Sequence, residues 1–273
     1  MEVRSLEYGL NATASQGVTL NLYEKASLDV ALLKLKKKEQ LTGELFFWGK
    51  LCGQEADYYL CYIIVDEGKV YPIKKFYYST ASFDFRELPK VSEDQAKQLD
   101  SAGKIIITGV PSRVLDISNQ EEASKSRDAL RESHALSHLI SRIDYSTAAV
   151  PRGAFRLKLG NKIASAPEFN GLSFLEAQSL SSWVHFRPAD NLETLRALAS
   201  KDYQFHADFL ETLENDIPKG SWTFRYDPSS CIVTLRSILW PGYIAYCVLN
   251  TKFFGSVYIG NGEQNVDLPF LLP

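Results

Sequence analysis

The chain has 273 residues, 45% of them hydrophobic and 12% aromatic, enough apolar material for one large core or two smaller ones, which excludes disorder over most of its length. Lys and Arg total 30 against 33 Asp and Glu, a formal charge of -3, so the basic excess of a nucleic-acid binder is missing. No stretch approaches the roughly 18 to 20 apolar residues of a membrane span, and the opening MEVRSLEYGL, with Glu2 and Glu7, lacks the apolar run of a signal peptide.

These readings predict a soluble protein with no membrane and no nucleic-acid partner. Cys52, Cys61, Cys231 and Cys247 stand apart, without a C-x-x-C pair, in surroundings of aromatic and branched residues. Reduced, buried thiols and a cytoplasmic compartment are the expectation.

In chain order, the first element is a helix over about 22 to 38. Asn21 and Glu24 form its capping-box signature, Leu28, Leu32 and Leu35 recur at helical spacing, and Lys34, Lys36, Lys37 and Lys38 suit the negative end of its dipole. Glu44 to Leu51 and Asp57 to Val65, separated by Gly53 and Gln54, read as an aromatic-rich antiparallel hairpin, with a third strand through Val70 to Tyr78. Ser92 and Gln95 begin a short helix ending before Gly103. Lys104 to Gly109, KIIITG, reads as a short buried strand. Within Asn119 to Ile143, the spacing of Leu130, Leu136, Leu139, Ile140 and Ile143 predicts a long helix over the second half, after a Gln, Glu, Ser and Lys-rich first half that reads as a mobile or inserted segment.

Ser173 and Glu176 form a second capping box, Trp183 to Phe186 reads as a strand, and Leu192 to Ala199 and His206 to Glu214 read as helices. From Ser221 onward, WTFRY, IVTLRSILW, YIAYCVL and FFGSVYIG are four strands closed by Pro, Gly or Asn. The strings Val150 to Phe155, VPRGAF, and Ile217 to Trp222, IPKGSW, echo each other, each a Pro and Gly turn that delivers an aromatic into a strand.

The predicted fold class is α+β, with an amino-terminal helix, aromatic-rich antiparallel strands, one long central helix and a carboxy-terminal antiparallel sheet. Residues 1–149 would form the amino-terminal region with a variable middle and 150–273 the second region, the two also being readable as one continuous domain.

A catalytic centre needs a base, a nucleophile or a metal held in a pocket. His134 and His138 are four apart on the predicted long helix, but Ala, Leu and Ser lie between them and no third metal ligand is suggested. His185 lies between Val184 and Phe186 and suits a hydrogen-bonded core position. His206 lies near Asp208, where capping is commoner than catalysis. No G-x-S-x-G occurs, and Gly260 and Gly262 lack the third glycine and the following helix of a nucleotide loop. No catalytic, cofactor or metal residue is assigned. An unrecognised hydrolase would require a deep polar pocket holding His185 or His206.

Several longer strings resemble one family. FFWGKLCGQEADYY, Phe46 to Tyr59, matches its pattern through Phe47, Trp48, Gly49, Lys50, Gly53, Asp57, Tyr58 and Tyr59, and VPRGAF is similar to a second hallmark. Phe169 to Pro188, Leu210 to Trp222, Leu235 to Gly242 and Gly255 to Leu271 continue the likeness in order, while residues 70–149 match weakly and 1–16 hardly at all. Together these strings resemble the radial spoke head protein 9 family.

The resemblance implies a non-catalytic subunit of the radial spoke head in the axoneme of motile cilia and flagella. Its implied partners are other spoke-head proteins, especially the larger four and six type subunits, with two copies per spoke and the central-pair apparatus met indirectly. A soluble adaptor or assembly factor for spokes is the alternative. Trp48, Tyr58, Tyr59, Trp240, Tyr243, Phe253 and Phe254 are partner-binding candidates, with core packing the expected role for most of them.

Overall fold

The computed structural model describes residues 1–17, 19–39, 44–65, 73–103, 105–115, 130–158, 162–192, 196 and 209–271. Helices α1 (Leu6–Ala14) and α2 (Leu22–Lys38) precede β1 (Leu45–Leu51), β2 (Tyr58–Val65), β3 (Ile73–Ser79) and the two-residue β4 (Arg86–Glu87). Then come α3 (Glu93–Ser101), α4 (Glu132–Thr147), β5 (Ala149–Pro151), β6 (Phe155–Lys158), β7 (Lys162–Ser165), α5 (Phe174–Ala177) and β8 (Trp183–His185). Strands β9 (Trp222–Asp227), β10 (Ile232–Ser237), β11 (Tyr243–Val248) and β12 (Phe254–Gly260) lead to a final short helix, α6 (Leu268–Leu271).

The two expected capping boxes are present, and the start of α3 carries a third. Asn21 and Glu24 close the start of α2, Ser92 and Gln95 that of α3, and Ser173 and Glu176 that of α5, each pair exchanging backbone and side-chain hydrogen bonds. The boundaries of α2 are those predicted. In α4 the predicted apolar stripe continues as far as Thr147, while residues 116–129 of the polar segment before it lie outside the described residues.

The carboxy-terminal strands are antiparallel neighbours as expected, but they do not end in a sheet of their own. One eight-stranded sheet runs β4-β3-β2-β1-β12-β11-β10-β9, antiparallel throughout except for a parallel seam pairing Gly49 with Tyr258, Lys50 with Ile259 and Leu51 with Gly260. Glycine is required at the seam, because a Cβ on Gly49 would lie 2.0 Å from the Tyr258 carbonyl oxygen. Two small sheets, β5-β8 and β6-β7, stand beside it.

A bulge at Trp48 decides which side chains of β1 face which way. Phe47 pairs with Cys61 and Gly49 with Leu60, so Trp48 is the extra residue and the alternation changes phase there. Leu45 and Phe47 join the core under α1 and α2, whereas Trp48 and Leu51 join the core under α4. Helices thus cover both faces of the sheet. That explains why β10 alternates only in part and why all six residues of β11 are buried.

Several expectations are corrected. Ile105 to Gly109 is no strand: its carbonyls serve the β1–β2 loop, with Ile107 O accepting from the Gln54 N–H and Thr108 O from those of Glu55 and Ala56. The described part of His206 to Glu214 is not an α-helix, only a 3₁₀ turn over Leu213–Asn215. The predicted helix at Leu192 to Ala199 falls mostly outside the described residues, as do 70–72 of the third strand. The four cysteines are free thiols, but only Cys61 and Cys247 are buried; burial pushes the Cys247 thiol up to about 12. Cys231 is exposed, because it turns the β9–β10 hairpin with φ at 54°.

The sequence shows no sign of α1. Its Gly9 lies against Met1 and the Tyr246 hydroxyl, so the helix is held by contacts distant in the chain.

Candidate functional site

Five of the seven aromatic candidates lie inside the protein. Trp48, Tyr58, Trp240 and Tyr243 belong to the core under α4, and Tyr59 to that under α1 and α2. Phe254 is half-buried, its ring 6.0 Å from those of Phe155 and Phe169. Phe253 alone is open to solvent, beside Tyr8 at 5.7 Å. A partner meeting this fold as it stands therefore finds Phe253 and part of Phe254.

The buried aromatics use their polar tips to tie helices to the sheet. The Tyr58 hydroxyl donates to Glu132 at the start of α4 (2.8 Å), and the Trp48 indole N–H donates to Asp144 near its end (3.0 Å). Lys74 of β3 pairs with the other oxygen of Asp144 at 2.5 Å. On the opposite face the Tyr59 hydroxyl and Lys50 both donate to Glu24 of α2 at 2.7 Å, and Lys50 also pairs with Asp57 at 2.8 Å. The Tyr243 hydroxyl accepts from the Ala149 N–H that opens β5 (2.7 Å).

Glu132 is 0% exposed, and several donors converge on its carboxylate. Besides Tyr58 it accepts from the Thr108 N–H (3.1 Å), the Thr108 hydroxyl (2.6 Å) and the Gly109 N–H (2.7 Å), and it pairs with Arg113 at 2.9 Å. Burial alone would raise its pKa, but the hydrogen bonds from Thr108, Gly109 and Tyr58 outweigh that and hold it below the ordinary carboxylate value. For Glu24 too burial acts upward, and the bonds from Lys50, Tyr59 and Asn21 bring it below the ordinary value.

The three histidines among the described residues have structural partners. His134 Nδ1 accepts from the Arg131 N–H at the head of α4 (3.2 Å), and burial lowers its pKa. His138 Nε2 meets Asp100 at 2.9 Å, linking α4 to α3. Among the described residues no three His, Cys, Asp or Glu side chains gather as a metal site needs. Gly262 closes a turn after β12, its N–H donating to the Tyr258 hydroxyl (2.9 Å).

His185 does line a polar cleft of about 830 Å³, together with Arg187, Glu211, Asp216, Ser221 and Ser237. Its ring is not poised as a base there. Nε2 is held by Asp216 at 2.7 Å, Asp216 also accepts from the Trp222 indole (2.7 Å), and Nδ1 is buried away from the cleft's water. The Ser221 hydroxyl donates to Pro218 O, and that of Ser237 accepts from the Trp240 N–H. Arg187 pairs with Glu211 (3.1 Å) and Asp190 (3.2 Å) and lies 4.2 Å over the Tyr145 ring. His206 lies outside the described residues.

Sequence reasoning missed the carboxylates that receive these bonds. Glu24 was visible only as a cap, and no local pattern marks Glu132, Asp144 or Asp216, whose partners lie 19 to 96 residues away, apart from Trp222 beside Asp216.

In comparisons with known proteins, no family model matches the chain. Full-length relatives do. The chain is 33% identical over 282 residues to the radial spoke head protein 9 homolog of Mus musculus, 34% over 281 residues to that of Homo sapiens and 31% over 280 residues to that of Danio rerio. In each case the match covers 100% of this chain and 100% of the relative.

Proposed function

The chain belongs to the radial spoke head protein 9 family, and from that premise we propose that it is a non-catalytic structural subunit of the radial spoke head in the axoneme of motile cilia and flagella. It supports spoke assembly alongside the larger four and six type subunits and passes mechanical signals between the central pair and the dynein arms. The observation that carries this reading is the match from end to end: a shared module would leave part of one chain uncovered, and neither chain has such a part.

The fold suits a load-bearing part. A sheet fastened to helices on both faces through hydrogen-bonded carboxylates, two of them buried, has few soft internal joints. The cleft beside His185 offers paired charges and committed hydroxyls, which supports action by contact without turnover.

Fractionation of motile cilia carrying a tagged copy tests the proposal. The chain is expected with salt-resistant axonemes at a fixed copy number per spoke, and its deletion is expected to leave incomplete spoke heads and impaired beating. Recovery entirely in the soluble matrix, with complete heads in the deletion strain, would contradict it.

A further inference from the structure

Helix α2 carries apolar residues on two opposite sides. Leu28, Ala31, Leu32 and Leu35 face the sheet and are buried. On the far side, at spacings of four, four and three residues, Leu22, Ala26, Val30 and Leu33 form a second stripe in water, with Leu22 83%, Val30 53% and Leu33 64% exposed. A helix that covers a sheet needs one apolar stripe and a polar outside, so the fold itself has no use for the second.

The stripe ends in a block of positive charge. Lys37 continues it one turn beyond Leu33, Lys34 flanks it, and Lys36 and Lys38 stand beside them. None of the four forms an ion pair among the described residues. The helix dipole accounts for cations in a last turn, but not for the leucines and valine exposed before them. Leu33 and Lys36 also border a small recess of about 90 Å³ lined by Val3, Leu32 and Leu45, with Glu2 and Glu44 at it as well.

We propose that the outer face of α2 is a docking surface for an acidic amphipathic helix of a neighbouring protein, an inference that rests on the reading of the chain as a spoke-head subunit. The twelve-residue run from Leu22 to Leu33 spans roughly 17 Å, the length of about three helical turns. A partner helix with apolar residues at i, i+3, i+4 and i+7 lays its ridge along this stripe, and carboxylates at one end of it meet Lys34, Lys37 and Lys38. A second copy of the chain is the poorer occupant. Set parallel, its α2 brings lysines against lysines, and set antiparallel, it brings the positive end of its helix dipole to them.

The test places a photoreactive residue at Ala26 or Leu33 in the full-length tagged chain, purifies spoke heads and maps the cross-linked peptide. Lys90, exposed and next to the residue whose carbonyl binds Ser137 of α4, serves as the control position. The expected product joins α2 to a segment of another spoke-head protein with helical apolar spacing and a cluster of Asp or Glu. In parallel, V30E/L33E is expected to lower incorporation into heads about ten-fold. K34E/K37E is expected to lower it several-fold, with the loss shrinking as salt rises. Should V30E/L33E prove to lower the melting temperature, K34E/K37E, at exposed polar positions, carries the test. Cross-links no stronger than at Lys90, cross-links to a second copy or to a segment without acids, or normal incorporation of both variants would overturn the docking face. Absence of the unsubstituted chain from heads would overturn the function proposed for the chain, and is read separately from that control.

Discussion

α4 and α2 cover opposite faces of one sheet, and they are fastened to it in different ways. α4 is held at both ends by carboxylates: the buried Glu132 accepts three hydrogen bonds from the Thr108 to Gly109 backbone and hydroxyl and a fourth from Tyr58, and the half-buried Asp144 takes Trp48 and Lys74. α2 has one such tie, Glu24 to Lys50 and Tyr59, and otherwise rests on its leucines. The outer surfaces differ in the same sense. α4 turns Ser141, Arg142 and a single aromatic, Tyr145 under Arg187 and 43% exposed, outward, while α2 turns Leu22, Val30 and Leu33 to water. The difference separates a layer whose work is internal from one with a face still to be covered.

Substitutions can sharpen or break this contrast. The largest effect is expected for Glu132→Ala, about 3–5 kcal/mol of destabilisation in urea unfolding, because it leaves buried donors and Arg113 without their acceptor. Leu28→Ala, under α2, is expected to cost about 2–4 kcal/mol by the same measurement, as an ordinary cavity in a well-filled core. Glu24→Ala should cost less, about 1–2 kcal/mol, since Lys50 keeps Asp57 as a partner. On the outer stripe, Leu33→Ala should change the stability of the isolated chain by under about 0.5 kcal/mol while weakening incorporation into spoke heads. A large loss of stability at Leu33 would break the comparison.

The pH dependence follows from the same carboxylates. The pKa of Glu132 is lower folded than its ordinary value of 4.5, so its contribution is fully present above about that pH and is lost as pH falls towards the folded value. Stability measured against pH is expected to fall below about 4.5 in the native chain. In Glu132→Gln, which cannot ionise, that part of the slope should be missing. Glu24 has the same sign and adds to the remaining slope.

Much of the fold was legible where its causes are local. The caps at Asn21, Ser92 and Ser173 and the aromatic strands read correctly because each element's signal lies within a few residues of it. The parallel seam was not legible, since it joins Gly49 to Tyr258 and rests on the absence of a side chain at one glycine. KIIITG has strand composition, yet its backbone serves a loop instead. The aromatic candidates illustrate the same boundary. The family resemblance singled out Trp48, Tyr58 and Tyr59, but whether a tyrosine tip meets a partner or a buried glutamate depends on where the helix carrying Glu132 or Glu24 lies. The outer stripe of α2 was present in the sequence and overlooked, because two apolar stripes on opposite sides cancel in any search for one amphipathic face.

The most direct single measurement is a cryo-electron map of spoke heads from motile cilia carrying this chain. The account predicts the chain at a fixed position and copy number, its sheet and α4 unchanged, with the stripe from Leu22 to Leu33 covered by an acid-bearing helix of a neighbour. Heads complete without the chain, or a chain in place with α2 bare to solvent, would contradict it.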